Sequence, residues 1–191
     1  MQTLRCFIAV PLDEFTRQWL AGIQEELAGE ISYRVRWEKP DNFHITLKFL
    51  GDVAVSRLDH VLKVVGAISE RTRCFTLHPL RLDAFPSPYR PRVLCLRVED
   101  YEGRLRALAR DIEERLAEMG FEREARTFKG HITLGRVPKN VRPTPSEEIL
   151  KSISVRGLED IEADQIWVME SQLTPQGAIY NALAKYELAL E

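Results

Sequence analysis

The sequence predicts an α+β fold, because strand-like segments are interspersed with three or four helical ones and joined by short, hairpin-like connections. Short connections favour antiparallel pairing, whereas parallel strands need crossovers of a dozen residues or more. The first strand is the apolar run at residues 4–10, closed by Pro11. Residues 13–29 follow as a helix, with Phe15, Leu20, Ile23 and Leu27 at helical spacing and Gly29 as its stop. Strands at 33–38 and 43–50 flank the turn Lys39-Pro40-Asp41-Asn42. A second helix at 56–71 carries Leu58, Val61, Leu62, Val65 and Ile68 on one face. Strands at 75–85 and 92–98 surround the proline-rich loop 86–91, and the third helix, 101–119, has the stripe Leu105, Leu108, Ile112 and Leu116. A strand at 131–137 leads into a loop rich in proline and charge, then a short helix at 147–151. A strand through Ile166, Val168 and Leu173, a turn at 174–177 and a strand at 178–188 close the chain. No linker or low-complexity tract divides it, so residues 1–191 are expected to form a single domain.

At 191 residues, with 45% apolar and 29% charged side chains, the chain can bury a core without disulfides or a structural metal. Its net charge of −2 is the wrong sign for coating long duplexes, which leaves room for a nucleic-acid end in a locally basic cleft. Cys6, Cys74 and Cys95 are scattered and odd in number, which argues for buried thiols rather than a disulfide framework or a four-cysteine zinc site. The run at 6–10 is too short for a signal peptide, and no segment has membrane-spanning length, so a cytoplasmic location without membrane partner is expected.

The most informative feature is a repeat. His-Ile-Thr-Leu occurs at 44–47 and again at 131–134, using two of the four histidines. On a strand, side chains alternate faces. His44, Thr46 and Lys48 therefore share one side and Ile45, Leu47 and Phe49 the other; His131 and Thr133 likewise oppose Ile132 and Leu134. A lone strand histidine is more often structural than catalytic, and His60 and His78 are read that way. Two copies of equal parity present two imidazoles and two hydroxyls. If a pseudo-two-fold axis relates them, both polar faces converge on one cleft. That set suits the opening of a cyclic phosphodiester: one histidine takes a proton from water, the other protonates the departing oxygen, and threonine hydroxyls donate to the phosphate. No metal or other cofactor is required, and neither copy has the spacing of a zinc motif.

On these motifs the chain resembles the two-histidine (2H) phosphoesterases, specifically the RNA 2′,3′-cyclic phosphodiesterases once called 2′-5′ RNA ligases. Asn42 to Gly51 matches the first motif of that family, and His131 to Val137 the second. The segments 5–10, 85–94 and 173–180 are also similar. The resemblance implies a bilobed fold of two antiparallel sheets with outer helices and the cleft between them. It also implies hydrolysis of RNA ends or nucleotides bearing a 2′,3′-cyclic phosphate to a 2′-phosphate, with no obligate protein partner. By the same analogy His44 protonates the 3′ oxygen, His131 activates water, and Thr46, Thr133 and Arg136 hold the phosphate. Strict alternation puts Arg136 on the wrong face, unless the strand bulges at Gly135 or the side chain reaches round the strand end. Lys48, on the catalytic face, is a candidate nucleotide contact, and so is Phe49, although parity favours core packing for it. Tyr89, Arg90 and Arg92 could line the nucleotide site, with a solvated loop the default. Gly130 stands where the family has proline, which is expected to loosen the approach to the second motif. Two other activities fit the same residues: an ATP-independent 2′-5′ ligase running the reaction backwards, and a non-catalytic nucleotide- or RNA-binding module.

Overall fold

Apolar periodicity and turn chemistry are realised in fourteen elements of the computed structural model, which describes residues 2–175 and 177–190. Gln176, in the expected 174–177 turn, lies outside the described residues. The strands are β1 (Thr3–Pro11), β2 (Arg36–Trp37), β3 (His44–Ala54), β4 (Phe75–Phe85), β5 (Val93–Glu99), β6 (His131–Arg136), β7 (Ile161–Ala163), β8 (Gln165–Thr174) and β9 (Gly177–Glu187). The helices are α1 (Glu14–Glu30), α2 (Val55–Ser69), α3 (Arg104–Glu118) and α4 (Glu147–Ser152), with a 3-10 turn at Pro40–Asn42.

α1 starts where the Asp13 carboxylate accepts hydrogen bonds from the Thr16 backbone N–H (2.7 Å) and hydroxyl (2.8 Å), satisfying a donor the helix leaves open. It buries Thr16, Leu20, Ile23 and Leu27. Phe15, expected on that face, is exposed instead, because it lies in the first turn beyond the edge of the apolar stripe. α3 begins after Gly103, which adopts φ 73°, and the Asp100 carboxylate accepts from the Arg104 and Leu105 N–H groups. It buries the predicted stripe together with Ala109.

The strands run β7-β4-β5-β6-β3-β1-β8-β9, with β2 added against β6. Two half-sheets are recognisable, β3-β1-β8-β9 and β6-β5-β4-β7, and the order β1-α1-β3-α2 recurs as β5-α3-β6-α4. Between β3 and β6 a single antiparallel register pair, Ile45 opposite Ile132, joins the halves edge to edge. Both isoleucines are fully buried. The strand expected at 33–38 is reduced to two residues, since only Arg36 and Trp37 meet a partner strand.

Candidate active site

Each copy of the repeat departs from simple alternation at the same residue. Against β1, Thr46 pairs with Ala9 but Lys48 with Ile8, so Leu47 is an extra residue in β3. Against β5, Thr133 pairs with Cys95 but Gly135 with Leu94, so Leu134 is the extra residue in β6. A bulge of this kind turns the strand by one side chain. The two burial patterns agree: His, Thr and the sixth residue are accessible, while Ile, Leu and the fifth residue are buried.

That shift moves three residues. Arg136 swings onto the histidine face, which resolves the conflict posed by strict alternation. Phe49 holds the equivalent place in the first copy and is 57% exposed rather than in the core. Lys48 moves the opposite way. It is 5% exposed, and its Nζ donates to Glu113 Oε2 (2.7 Å) on α3 and to the Glu122 carbonyl (2.9 Å), so the expected contact with nucleotide is overturned. Its counterpart Gly135 must be glycine, because a Cβ there would come within 2.6 Å of Val35 and 2.8 Å of Trp37.

The histidines are held alike. His44 Nδ1 lies 2.7 Å from the Asn42 carbonyl and His131 Nδ1 2.7 Å from the Lys129 carbonyl. A carbonyl only accepts, so both Nδ1 atoms carry hydrogen and both neutral rings keep their lone pair at Nε2. Thr46 Oγ1 sits 2.9 Å from His44 Nε2. Thr133 makes no side-chain hydrogen bond among the described residues. Because the strands run antiparallel about Ile45 and Ile132, His44 lies towards Thr133 and His131 towards Thr46. Burial pulls the His44 pKa from 6.5 to about 4; the Asn42 carbonyl opposes this, and the nearby charges of Arg136 and His131 add to it. His131 is lowered too, first by burial and then by Arg97 and Arg136, against the pull of the Lys129 carbonyl.

Packing fixes both rings from residues far away in sequence. Phe7 lies 4.8 Å from the His44 ring and Tyr180 meets it edge-on at 5.4 Å. Phe85 meets His131 edge-on at 5.0 Å, and Arg97, opposite His131 in the β5–β6 register, hydrogen-bonds the Gly130 carbonyl at 3.1 Å. Gly130 is not loose. A Cβ there would approach Leu105 Cδ2 and the Val98 carbonyl to 2.7 Å, so glycine lets α3 and β5 close on the approach to the second motif. Gln24 and Arg97 escaped the sequence reading, since nothing local marks them, and Phe7 and Tyr180 lie in segments that resemble the family but were given no role at the site.

Arg136 is steered by Glu38, whose Oε1 lies 3.3 Å from its Nε. The bulged Leu134 carbonyl accepts from the Glu38 N–H (2.9 Å) and from Gln24 Nε2 (2.8 Å), and the same Gln24 amide nitrogen donates to the Glu38 carbonyl (2.8 Å). Beside Arg136 and His44 opens a cavity of about 410 Å³, lined by residues of β1, β2, β3 and the β8–β9 hairpin. His131 and the two threonines are not among its lining residues, so the histidine pair stands at one end of it. Tyr89, Arg90 and Arg92 do not line it either. Arg92 instead donates to the Pro138 and Val141 carbonyls at 3.0 Å. His60 is exposed, and His78 bonds Asp160 at 2.7 Å and stacks on Tyr101, as structural residues do. Cys6 and Cys95 are buried, with pKa values pushed up to about 11 and about 12, which leaves them protonated. Among the described residues no three His, Cys, Asp or Glu side chains gather as a metal-binding group, and no helix is long and apolar enough to cross a membrane.

The family of LigT-like phosphoesterases has a sequence model that matches residues 10–95 and again 96–180, one match for each copy of the motif. The chain belongs to that family. It is 35% identical over 189 residues to the RNA 2′,3′-cyclic phosphodiesterase of Archaeoglobus fulgidus, covering 96% of this chain and all of the relative. It is 29% identical to the protein of the same name from Aquifex aeolicus, covering 98% and 99%. Among solved structures, the TT0787 protein of Thermus thermophilus superposes with a TM-score of 0.79 at 25% identity over 97% of this chain and 98% of its own. LigT of E. coli shares the fold, with a TM-score of 0.74 at 22% identity over 98% and 99% of the two chains.

Proposed function

We propose that this chain hydrolyses the 2′,3′-cyclic phosphate of an RNA end to a 2′-phosphate, using His44 and His131 and no metal, with both lobes acting as one catalytic domain. The observation that carries this reading is the matched pair of imidazoles, each with Nδ1–H tied to a carbonyl and Nε2 left for proton transfer, on strands that meet at Ile45 and Ile132. The family membership and the activity named for the relatives point the same way.

In this mechanism His131 Nε2 takes a proton from water as the water oxygen attacks phosphorus opposite O3′. The P–O3′ bond breaks, His44 Nε2–H protonates O3′, and the P–O2′ bond stays. The cavity beside His44 favours this division of roles, because the ribose that carries O3′ needs room on the acid's side. Thr46 couples to the proton. While His44 is neutral, its lone pair accepts the Thr46 hydroxyl; once His44 is protonated, Nε2 becomes a donor and the hydroxyl is free to donate to phosphate. Thr133, whose hydroxyl has no partner among the described residues, is available for the same task, and Arg136 neutralises the phosphate.

The test is turnover of cytidine 2′,3′-cyclic phosphate, with the product identified by phosphorus NMR. His44→Ala and His131→Ala should each lower kcat by about 10²–10⁴, with near-native circular dichroism, and wild-type rates should survive exhaustive chelation. Near-normal activity in either variant removes that histidine from the mechanism. Activity abolished by chelation and restored by zinc or manganese overturns the metal-free chemistry.

A further inference from the structure

The carbonyls hold the two histidines alike, but the strands beside them differ. Opposite His44 in the β1–β3 register stands Pro11, which carries no charge. Opposite His131 in the β5–β6 register stands Arg97, and its guanidinium is anchored on two sides. Nε donates to the Gly130 carbonyl at 3.1 Å, one residue before the histidine, and that carbonyl also accepts from the Val98 N–H at 3.2 Å. Nη1 lies 3.9 Å from Asp83 Oδ2 on β4, and Asp83 Oδ1 in turn accepts from the Ala84 N–H at 2.8 Å. The guanidinium carbon is 5.7 Å from the centroid of Phe85, the ring that meets His131 edge-on. Arg97 thus touches both supports of His131, the backbone that leads into it and the ring packed against it. It is not among the residues that line the cavity beside His44.

The Arg97 side chain is 17% exposed, so solvent screens its charge little. The charged or titratable groups facing His131 are Arg97 from β5, Arg136 on its own strand and His44 from β3. From β4 come Phe85 to the ring and Asp83 to Arg97. Burial and Arg136 act on both histidines, whereas Arg97 acts on His131. A bound phosphate brings negative charge to both rings and offsets what they share, while the guanidinium remains beside His131.

We infer that Arg97 is a positioning residue for the reaction: it fixes the approach to His131 and, as a cation beside that ring, commits the second motif to the role of base. The inference rests on the proposed phosphodiesterase reading, which divides the roles by the room beside His44 and gives Arg97 none.

The experiment measures turnover of cytidine 2′,3′-cyclic phosphate and, independently of it, titrates the histidine protons of the free proteins by NMR. Arg97→Met removes the charge and the donors, and Arg97→Lys keeps the charge without the planar fork. Arg81→Met removes a charge one strand further from the ring: Arg81 lies opposite Arg97 on β4, 67% exposed, 3.6 Å from the same Asp83. In Arg97→Met, His131 should titrate at higher pH than in the wild type while His44 holds its place. The optimum of kcat should move up in pH, since the base is then lost to protonation sooner as pH falls. Its kcat should fall about tenfold, the size of a coupling between connected side chains, with KM changed less than about twofold because Arg97 acts through His131. Arg97→Lys should restore the titration and part of kcat, and Arg81→Met should behave as wild type throughout. Should Arg97→Met not fold, Arg97→Gln, which keeps an N–H donor for the Gly130 carbonyl, repeats the titration. Four results overturn the inference and leave the phosphodiesterase reading standing: a His131 titration unmoved in the neutral variants, the same changes in Arg81→Met, no recovery in Arg97→Lys, or a raised KM at unchanged kcat. Absence of wild-type turnover instead defeats that reading, and the role of base falls with it.

Discussion

With Nδ1–H committed to a carbonyl, each imidazole exchanges protons only at Nε2, and burial then sets how readily it does so. The proposed chemistry requires His44 protonated and His131 neutral. In the free protein His44 loses its proton above about pH 4, and the pKa of His131 is lowered from 6.5 as well. The dependence of kcat/KM, which reports the free enzyme, should therefore be a bell centred below pH 6.5, governed by the coupled pair rather than by either residue. A bound phosphate brings negative charge that favours the imidazolium, so the bell for kcat should lie at higher pH. Arg136→Met removes a cation that lowers both histidines, which should move the kcat/KM bell upward while weakening phosphate binding. Histidine proton NMR titration gives the same shift without turnover. Coincident bells for kcat and kcat/KM, or a downward move in Arg136→Met, would contradict this account.

The strands deliver those residues only because both repeats bulge at their leucine. In β6 the bulged Leu134 carbonyl is served by Gln24 from α1, which also bonds the carbonyl of Glu38, the residue that steers Arg136. Gln24→Leu should therefore loosen Arg136 without touching the imidazoles. Phosphate affinity should fall about fivefold, the size of a typical coupling between connected residues, while the pH of the kcat optimum stays within a few tenths. In an Arg136→Met background the same substitution should have almost no further effect on phosphate; full additivity would show that Gln24 acts only on stability. The bulges also mark the boundary of what the sequence discloses. Helical stripes, strand positions and the paired His-x-Thr motifs follow from periodicity, which is a local property. A register shift depends on the partner strand, here β1 for one copy and β5 for the other, so parity misassigned Lys48 and Phe49. Gly135 did signal the second bulge, although its structural need is the packing of Val35 and Trp37. Phe7, Gln24, Arg97 and Tyr180 reach the site through tertiary contacts that no local pattern encodes.

At the scale of the whole molecule, the proposed mechanism needs two half-sheets held in fixed relation, yet β3 and β6 share one register pair. Further ties run to β6 from β2, Gln24 and Glu38, and others are made on the helical side. Arg71 of α2 pairs with Asp111 of α3 at 2.6 Å, the Arg57 guanidinium lies 4.6 Å over the Phe121 ring, and Lys48 of β3 reaches Glu113 of α3 and the Glu122 carbonyl. Of these ties the Lys48 ammonium is the most deeply buried, and removing one partner of a buried pair leaves the other charge uncompensated. Glu113 is only partly covered and keeps a second bond to the Glu124 N–H at 2.9 Å, which places the penalty at the lower end of the usual range. Lys48→Ala should thus destabilise the fold by about 3 kcal/mol, which for a chain of this length is a fall in Tm of about 6–12 °C. Since Lys48 faces away from the cleft, kcat measured well below that Tm should change less than threefold. Because the tie spans both halves, unfolding followed by calorimetry should remain a single transition in the wild type. A variant that loses activity in proportion to stability at 25 °C would return Lys48 to the substrate side. A Tm unchanged within 2 °C would mean that the halves are held together without it.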